Sequence, residues 1–173
     1  MEQRRILIYG VCGSGKSTFA QKLSEPTGIP FHLVDDIAHG PNWEPKPDDV
    51  QVAAIQDIIA RDEWILDTAY GKWAELPLSR AELILGLDYP RWFSFQRLVR
   101  RTIGRIITGE PICNNNRESL KMALSRDSII LWHFRSFSRK RDRMREWAAK
   151  GQPPTTLFAT AREAEAWLEN VGP

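Results

Sequence analysis

The sequence predicts an α/β fold with a five-stranded parallel sheet that is covered by helices on both faces. Short apolar segments alternate with longer amphipathic segments along the 173 residues. Several of these apolar segments contain almost no polar residue, which is typical of strands buried on both faces. A glycine-rich turn joins the first strand to the first helix, and no internal repeat occurs. We therefore expect one three-layer domain over residues 1–173.

The first half of the chain predicts three strands and two helices. "RRILIYG" is the first strand, and a helix follows from Lys16 to Glu25. The helix should end at "PTGIP", because proline and glycine interrupt helices. "FHLVDD" is predicted as a second strand that ends in two carboxylates, before the proline-rich loop "HGPNWEPKPDD". "DDVQVAAIQDIIARDE" has helical spacing of its apolar residues, and "WILD" is the third strand.

The second half continues the alternation. "AELILGLD" is the fourth strand, and a helix is expected from Pro90 to about Ile107. Residues 108–126 read as a short polar lid that Gly109 and Pro111 bend. A long helix is predicted from about Asp127 to Lys150, then a fifth strand in "GQPPTTLFAT" and a last helix in "AREAEAWLEN".

Composition narrows the class of protein. The chain is 42% apolar and 27% charged, as ordinary globular proteins are. The sequence contains no run of 18 apolar residues, which a membrane-spanning helix would need. The N-terminus does not have the pattern of a signal peptide. Cys12 and Cys113 have neither disulfide-framework nor metal-ligand spacing. We expect a cytoplasmic protein without a membrane partner, as a monomer or a dimer.

The net charge of +2 conceals a strong asymmetry. Residues 91–145 contain fourteen lysines and arginines against four acidic residues. Such a basic segment attracts the phosphates of a small nucleotide or of a nucleic acid. Its later part, with basic residues at 139, 140, 141, 143 and 145, covers several helix faces and reads mainly as a solvated surface.

The turn after the first strand carries a phosphate-binding pattern. Gly10 and "GKS" at 15–17 match G-x-x-x-x-G-K-[ST] between a strand and a helix. Glycines let successive N–H groups point at an anion, and the helix N-terminus adds partial positive charge. Lys16 would bridge the outer phosphates of ATP, and Ser17 would ligate Mg²⁺. The predicted ATP contacts in this loop are Gly10, Cys12, Gly13, Ser14, Gly15, Lys16, Ser17 and Thr18.

This loop, the two aspartates after strand two, "WILD", "LDYPR" and "RLVRR" together resemble the adenylate kinase-like branch of P-loop kinases. More narrowly, they are similar to the proteins called topology modulation proteins. The resemblance covers nearly the whole chain. It implies a lid that closes over ATP, with arginines that hold phosphates and stack on the adenine. Some relatives hold zinc in a larger lid with four cysteines, which the lone Cys113 does not favour.

Three aspartates are candidate catalytic or metal-binding groups. Asp35 and Asp36 are expected at the carboxyl end of strand two, where ligands of open α/β sheets bind. Either could accept the proton of an acceptor hydroxyl or hold a metal-bound water; the alternative is a pair of carboxylates at a helix entry or in a loop. Asp67 ends strand three, and the resemblance implies that it ligates Mg²⁺ through water; a plain turn aspartate is the alternative.

The arginines after strand four are candidate ATP ligands. Arg97, Arg101 and Arg105 recur every four residues and should line one edge of a helix. By resemblance, Arg97 would lie on the adenine and Arg101 would touch the phosphates. Arg126 and Arg135 are candidates for the cation that lid closure delivers. An ordinary solvated helix flank is the alternative for the three arginines at 97, 101 and 105.

The acceptor side is the least determined part of the sequence. Asp36, Trp43, Tyr70 and Arg80 are its candidate residues, the last by resemblance to an R-x-x-A-D pattern. Trp43 could instead cap the core.

We expect an enzyme that transfers the γ-phosphoryl of Mg-ATP to a small acceptor, with a nucleotide or nucleoside the favoured class. The alternatives are a non-kinase P-loop NTPase and a regulator that acts on a protein or nucleic acid. No N-K-x-D motif for reading guanine is present.

Overall fold

The computed structural model describes residues 2–112, 114–126 and 128–171. Its core is one parallel five-stranded sheet in the order β2-β3-β1-β4-β5. The strands are β1 Arg5–Gly10, β2 Phe31–His32, β3 Trp64–Leu66, β4 Leu83–Leu87 and β5 Thr155–Phe158. Gly10 pairs with Leu87 at the end of β4, so the chain leaves β1 at the carboxyl edge of the sheet. The predicted fold class is confirmed.

The helices complete the three layers. They are α1 Lys16–Thr27, α2 Val34–Ala38, α3 Asp48–Ile59, α4 Glu75–Leu78, α5 Arg91–Thr108, α6 Leu120–Ala123, α7 Ile129–Lys150 and α8 Ala161–Glu169, with a 3₁₀ turn at Pro41–Trp43. Among the described residues, none of these helices is both long and apolar enough to cross a bilayer.

Two apolar clusters cover the two faces of the sheet. Successive side chains of a strand point to opposite faces, so β1 contributes to both clusters. Leu7 and Tyr9 pack with Ile55 of α3 and Trp147 of α7 on one face. On the other face, Ile8 packs in a cluster with Phe19 and Leu23 of α1 and Ala164 of α8. The site at the carboxyl edge therefore lies on a rigid, fully buried base.

Strand β2 is shorter than the sequence predicted. It ends at His32, and Asp35 and Asp36 begin helix α2 rather than ending the strand. The cause is a contact from a distant part of the chain: Val34 N–H donates to Asp67 Oδ1 at 2.9 Å. This carboxylate binds an N–H of the first turn, which would otherwise have no helical partner.

Two helix boundaries also differ from the sequence prediction. Helix α1 runs through Pro26 and ends at Gly28, whose φ is +68° and whose N–H donates to Ser24 O. A proline in the last turn removes only one hydrogen bond, so the terminating signal is the glycine. Helix α7 begins at Ile129, where the Ser128 hydroxyl accepts from Leu131 N–H. The predicted start of this helix, Asp127, and the lone Cys113 of the lid lie outside the described residues.

Candidate active site

The loop between β1 and α1 is a tight backbone turn. Ser14 donates to Val11 O from its N–H at 3.2 Å and from its hydroxyl at 2.9 Å. Gly13 and Gly15 have φ angles of +81° and +93°, which residues with a Cβ rarely adopt. A Cβ on Gly13 would also lie 2.2 Å from Ser94 O of α5. Both glycines are therefore required by the geometry of the loop, and α5 supports it from behind.

Ser17 and Asp67 meet beside this loop. The Ser17 hydroxyl donates to Asp67 Oδ2 at 2.6 Å. Asp67 is only 4% exposed, and its burial raises the pKa of the carboxyl, which the hydrogen bonds from Ser17 and Val34 oppose. Within the described residues, no group of three His, Cys, Asp or Glu side chains could hold a metal. The pair fits Mg²⁺, which usually takes one or two protein oxygens and completes its shell with water and phosphate.

The side chain of Lys16 makes a hydrogen bond within the loop. Its Nζ donates to Val11 O at 3.0 Å. Burial is the main cause that lowers the pKa of Lys16, and the charge of Lys140 on α7 lowers it further, while Asp67 and Asp35 act in the opposite direction. The ammonium group thus has Lys140 as well as the carboxylates of Asp67 and Asp35 near it, and a phosphate bound there would gain charged contacts with the two lysines.

Asp35 and Tyr70 form a hydrogen-bonded pair near Lys16. The Tyr70 hydroxyl donates to Asp35 Oδ1 at 2.6 Å. Burial and the neighbouring Asp35 charge raise the pKa of Tyr70, so the phenol stays a donor at neutral pH. Asp35 keeps its second oxygen for another donor.

The structure separates the two aspartates that the sequence treats as one pair. Asp36 lines a surface groove with Phe31, His32 and Ile58. The contacts of Asp36 with other loops run through its carbonyl oxygen, which accepts from Lys46 Nζ and Asn114 Nδ2. Only Asp35 is therefore brought to the loop, because consecutive residues of a short helix point in different directions.

The three arginines of α5 that recur every four residues, Arg97, Arg101 and Arg105, have different surroundings. Arg97 Nη2 would lie 2.9 Å from a Cβ on Gly15, and Arg97 lines a small cavity with Thr18 and Tyr89. The Arg101 residue retains exposed surface, yet desolvation of its guanidinium and the nearby Arg105 lower its pKa, while the charge of Asp35 opposes this.

Arg105 itself pairs with Glu118 at 3.3 Å and so connects α5 to the lid. Arg97 thus lies beside the loop at Gly15, whereas Arg105 has a lid contact.

The lid is hydrogen-bonded to the proline-rich loop. Asn114 Nδ2 donates to His39 O at 2.6 Å, and Asn116 Nδ2 donates to Gly40 O at 2.9 Å. Trp43 N–H donates in return to Asn116 Oδ1 at 3.1 Å, and Trp43 Nε1 donates to Arg117 O at 3.4 Å. Trp43 is half-buried with a φ of +60° and lies outside both core clusters. It is thus part of the closure between lid and loop rather than a cap on the core.

Comparison with known proteins supports the same architecture. A gluconokinase from Sinorhizobium meliloti 1021 superposes with a TM-score of 0.56 over 98% of this chain and 94% of its own, at 20% identity. A shikimate kinase from Acinetobacter baumannii in complex with shikimate gives a TM-score of 0.55 over 98% and 91%, at 16% identity. The chain has the fold of the P-loop kinases. No protein-family model matches it, and no curated protein matches it in sequence.

Two candidate residues lie away from the loop. Arg80 precedes β4 and follows α4, so it stands at the amino edge of the parallel sheet. Five strand residues, about 16 Å, separate that edge from the phosphate loop. Arg135 is exposed, whereas His133, Ser136 and Phe137 are buried, so Arg135 points outward from α7. Neither arginine is therefore beside the loop in this structure, and an acceptor contact for Arg80 and a catalytic role for Arg135 stay predictions. Arg126 is exposed as well.

Helix α7 instead brings residues that the sequence analysis did not select. Fully buried His133 lies with Nδ1 3.0 Å from Cys12 O, and because a carbonyl only accepts, Nδ1 carries the hydrogen. Lys140 Nζ lies 6.0 Å from the centre of the Tyr9 ring. Arg143 Nη1 would lie 3.5 Å from a Cβ on Gly71. These three residues share one helix face with Phe137, Met144 and Trp147, and this spacing was the available signal.

Two other basic residues of α7, Arg141 and Arg145, share one structural partner. Arg141 Nε donates to Asp88 Oδ1 and Arg145 Nε donates to Asp88 Oδ2, both at 2.8 Å. The Asp88 side chain, which follows β4, is 8% exposed. This double ion pair fixes the middle of α7 to the carboxyl edge of the sheet. In the later part of the basic segment, Arg141 and Arg145 thus bind Asp88, whereas Lys140 and Arg143 are half-buried without such an ion pair. This part of the segment is therefore not simply a solvated surface.

Proposed function

We propose that the protein is an ATP-dependent kinase of a small molecule. The observation that carries this proposal is the 2.6 Å hydrogen bond between Ser17 and Asp67 beside a loop whose two glycines, Gly13 and Gly15, have positive φ angles. That pair would hold the Mg²⁺ of Mg-ATP, which neutralises charge on the transferred phosphoryl group. Lys16 and Arg101 are the cations for the outer phosphates, and Arg97 flanks the cavity where the base would lie.

Asp35 is the proposed general base. It lies near Lys16 and Asp67 and is held by the Tyr70 hydroxyl. Asp35 would accept the proton of the acceptor hydroxyl as the acceptor oxygen bonds to the γ-phosphorus and the bond to the departing ADP oxygen breaks. Tyr70 keeps one carboxylate oxygen occupied, so the other is directed at the acceptor.

The finer identity of the acceptor is also a proposal. The sequence motifs similar to adenylate kinase-like and topology modulation proteins favour a nucleotide or nucleoside. The fold neighbours, titled gluconokinase and shikimate kinase, bring small non-nucleotide molecules into consideration. A P-loop NTPase that signals to a macromolecule would need no acceptor base, and the Asp35–Tyr70 pair favours a kinase over it.

The test is ADP production from Mg-ATP with and without a panel of nucleoside monophosphates, nucleosides and small hydroxy acids. We expect one acceptor to stimulate turnover and to appear as a phosphorylated product. Lys16→Ala should abolish productive ATP binding, while the melting temperature stays at or above that of the wild type, because burial disfavours this charge. Exposed Arg162→Ala is the matched control. Full activity in a folded Lys16→Ala variant would contradict the assignment.

A further inference from the structure

Two cations on α7 lie at the site without a carboxylate partner. Among residues 2–112, 114–126 and 128–171, no carboxylate oxygen lies within 4.0 Å of a Lys140 or Arg143 nitrogen. Their neighbours Arg141 and Arg145 are both paired to Asp88. On the same helix, Arg141 and Arg145 thus make ion pairs that stabilise the fold, whereas Lys140 and Arg143 make no ion pair with a described residue.

The two cations lie beside residues that adjoin the phosphate loop and the Asp35–Tyr70 pair. Lys140 lies above the ring of Tyr9, the residue before Gly10, and close enough to Lys16 to lower its pKa. Arg143 approaches Gly71, the residue after Tyr70. Burial raises the pKa of Tyr9, and the nearby Arg143 opposes this increase. Both side chains are half-buried, so their charges are less screened than those of a surface lysine or arginine.

This arrangement is electrostatically incomplete. Like charges within a few ångströms of one another repel, and partial desolvation increases the cost. The phosphate loop already supplies Lys16 and its backbone N–H groups for ATP, and α5 supplies Arg101. Lys140 and Arg143 are additional to that set, and they lie on the Tyr70–Gly71 side of the loop, away from the Arg97 cavity.

We infer that Lys140 and Arg143 form a binding site for an anionic group of the phosphoryl acceptor. The acceptor would then be a small hydroxylated anion, with its hydroxyl at Asp35 and its carboxylate or phosphate at the α7 cations. The inference rests on the proposed kinase function. Arginine and lysine can each donate several hydrogen bonds to either anion, so the chemistry is shared by sugar acids and nucleoside monophosphates.

The binding experiment uses matched pairs of anionic and neutral probes. D-gluconate is compared with D-glucitol, D-glycerate with glycerol, and AMP with adenosine, each titrated into protein saturated with a non-hydrolysable Mg-ATP analogue. We expect an anionic member to bind at least ten-fold more tightly than its neutral counterpart. The first two pairs identify a carboxylate, and the third identifies a phosphate.

Variants then assign the effect to the two residues. Lys140→Met and Arg143→Met should each weaken anion binding ten-fold or more and leave the affinity for the ATP analogue within two-fold of wild type. Exposed Arg162→Met on α8 removes the same charge and should change neither. Melting curves establish that each variant is folded.

The possible outcomes separate the two proposals. Equal binding of anionic and neutral probes, no binding of any anion, or unchanged anion affinity in both folded variants would each overturn the inference. Failure of the wild-type protein to bind the ATP analogue would instead overturn the kinase proposal. Anion binding that the two variants remove, measured without turnover, supports the site independently of catalytic activity.

Discussion

The phosphate loop depends on Gly13, and Gly13→Ala tests this dependence most directly. The backbone at Gly13 is left-handed, and a Cβ there would lie 2.2 Å from Ser94 O and 2.8 Å from Leu98 Cβ. The left-handed backbone conformation costs about 1–2 kcal/mol in a residue with a side chain. Overlap in a well-packed region adds about 1–3 kcal/mol more. Since both obstacles belong to α5, the loop and the helix must separate.

Gly28→Ala is the matched control. Gly28 has a φ of +68° at the end of α1, and a Cβ there would meet no atom within 4 Å. This variant carries the backbone strain without the overlap, so the two variants should differ by roughly 2 kcal/mol. For a domain of this size, that corresponds to a melting temperature roughly 6 °C lower for Gly13→Ala than for Gly28→Ala.

Two measurements decide the outcome. Thermal unfolding gives the stability difference, and equilibrium binding gives the affinity for Mg-ATP. Gly13→Ala should bind Mg-ATP at least ten-fold more weakly, whereas Gly28→Ala should bind as the wild type does. Equal melting temperatures together with equal ATP affinities would refute the reasoning, because the contact with α5 would then have no energetic effect on the loop.

Asp67→Asn should abolish magnesium-dependent turnover yet raise the melting temperature at pH 7. Burial raises the pKa of Asp67 in the folded state above that in the unfolded state. The protonated carboxyl therefore stabilises the fold fully below the unfolded-state pKa, and this stabilisation is lost as the pH rises through the folded-state pKa. The gain should vanish near pH 4; a lower melting temperature at pH 7 would contradict this. His133→Leu should raise the KM for ATP about five-fold, equivalent to one hydrogen bond of ~1 kcal/mol to Cys12 O. His133→Asn should restore it, and without that rescue His133 serves only packing.

Local features of the sequence were sufficient for most of the fold and for the phosphate loop. The glycines, Lys16 and Ser17 are contiguous, and their strand and helix are next to them in the chain. The proximity of Ser17 and Asp67 also followed, because the carboxyl ends of parallel strands share one edge of the sheet.

Features that depend on distant contacts did not follow. The end of β2 is set by Asp67, 33 residues away from Val34, and no local pattern shows this contact. The roles on α7 depend on how the helix is rotated against the sheet. The run of basic residues has a nearly uniform appearance in the sequence, but packing turns Lys140 and Arg143 inward and Arg135 outward.

The contacts of the lid have an evolutionary consequence. Asn114 and Asn116 bind main-chain carbonyls of Asp36, His39 and Gly40, and Trp43 answers through its own main-chain N–H. All four of these groups on the loop side belong to the main chain, so they would remain in place whatever side chains His39 and Gly40 were replaced with, provided that the backbone path is kept. Point substitutions could therefore change the shape and chemistry of the proline-rich loop in descendants of this protein and leave its main-chain contacts with the lid unchanged.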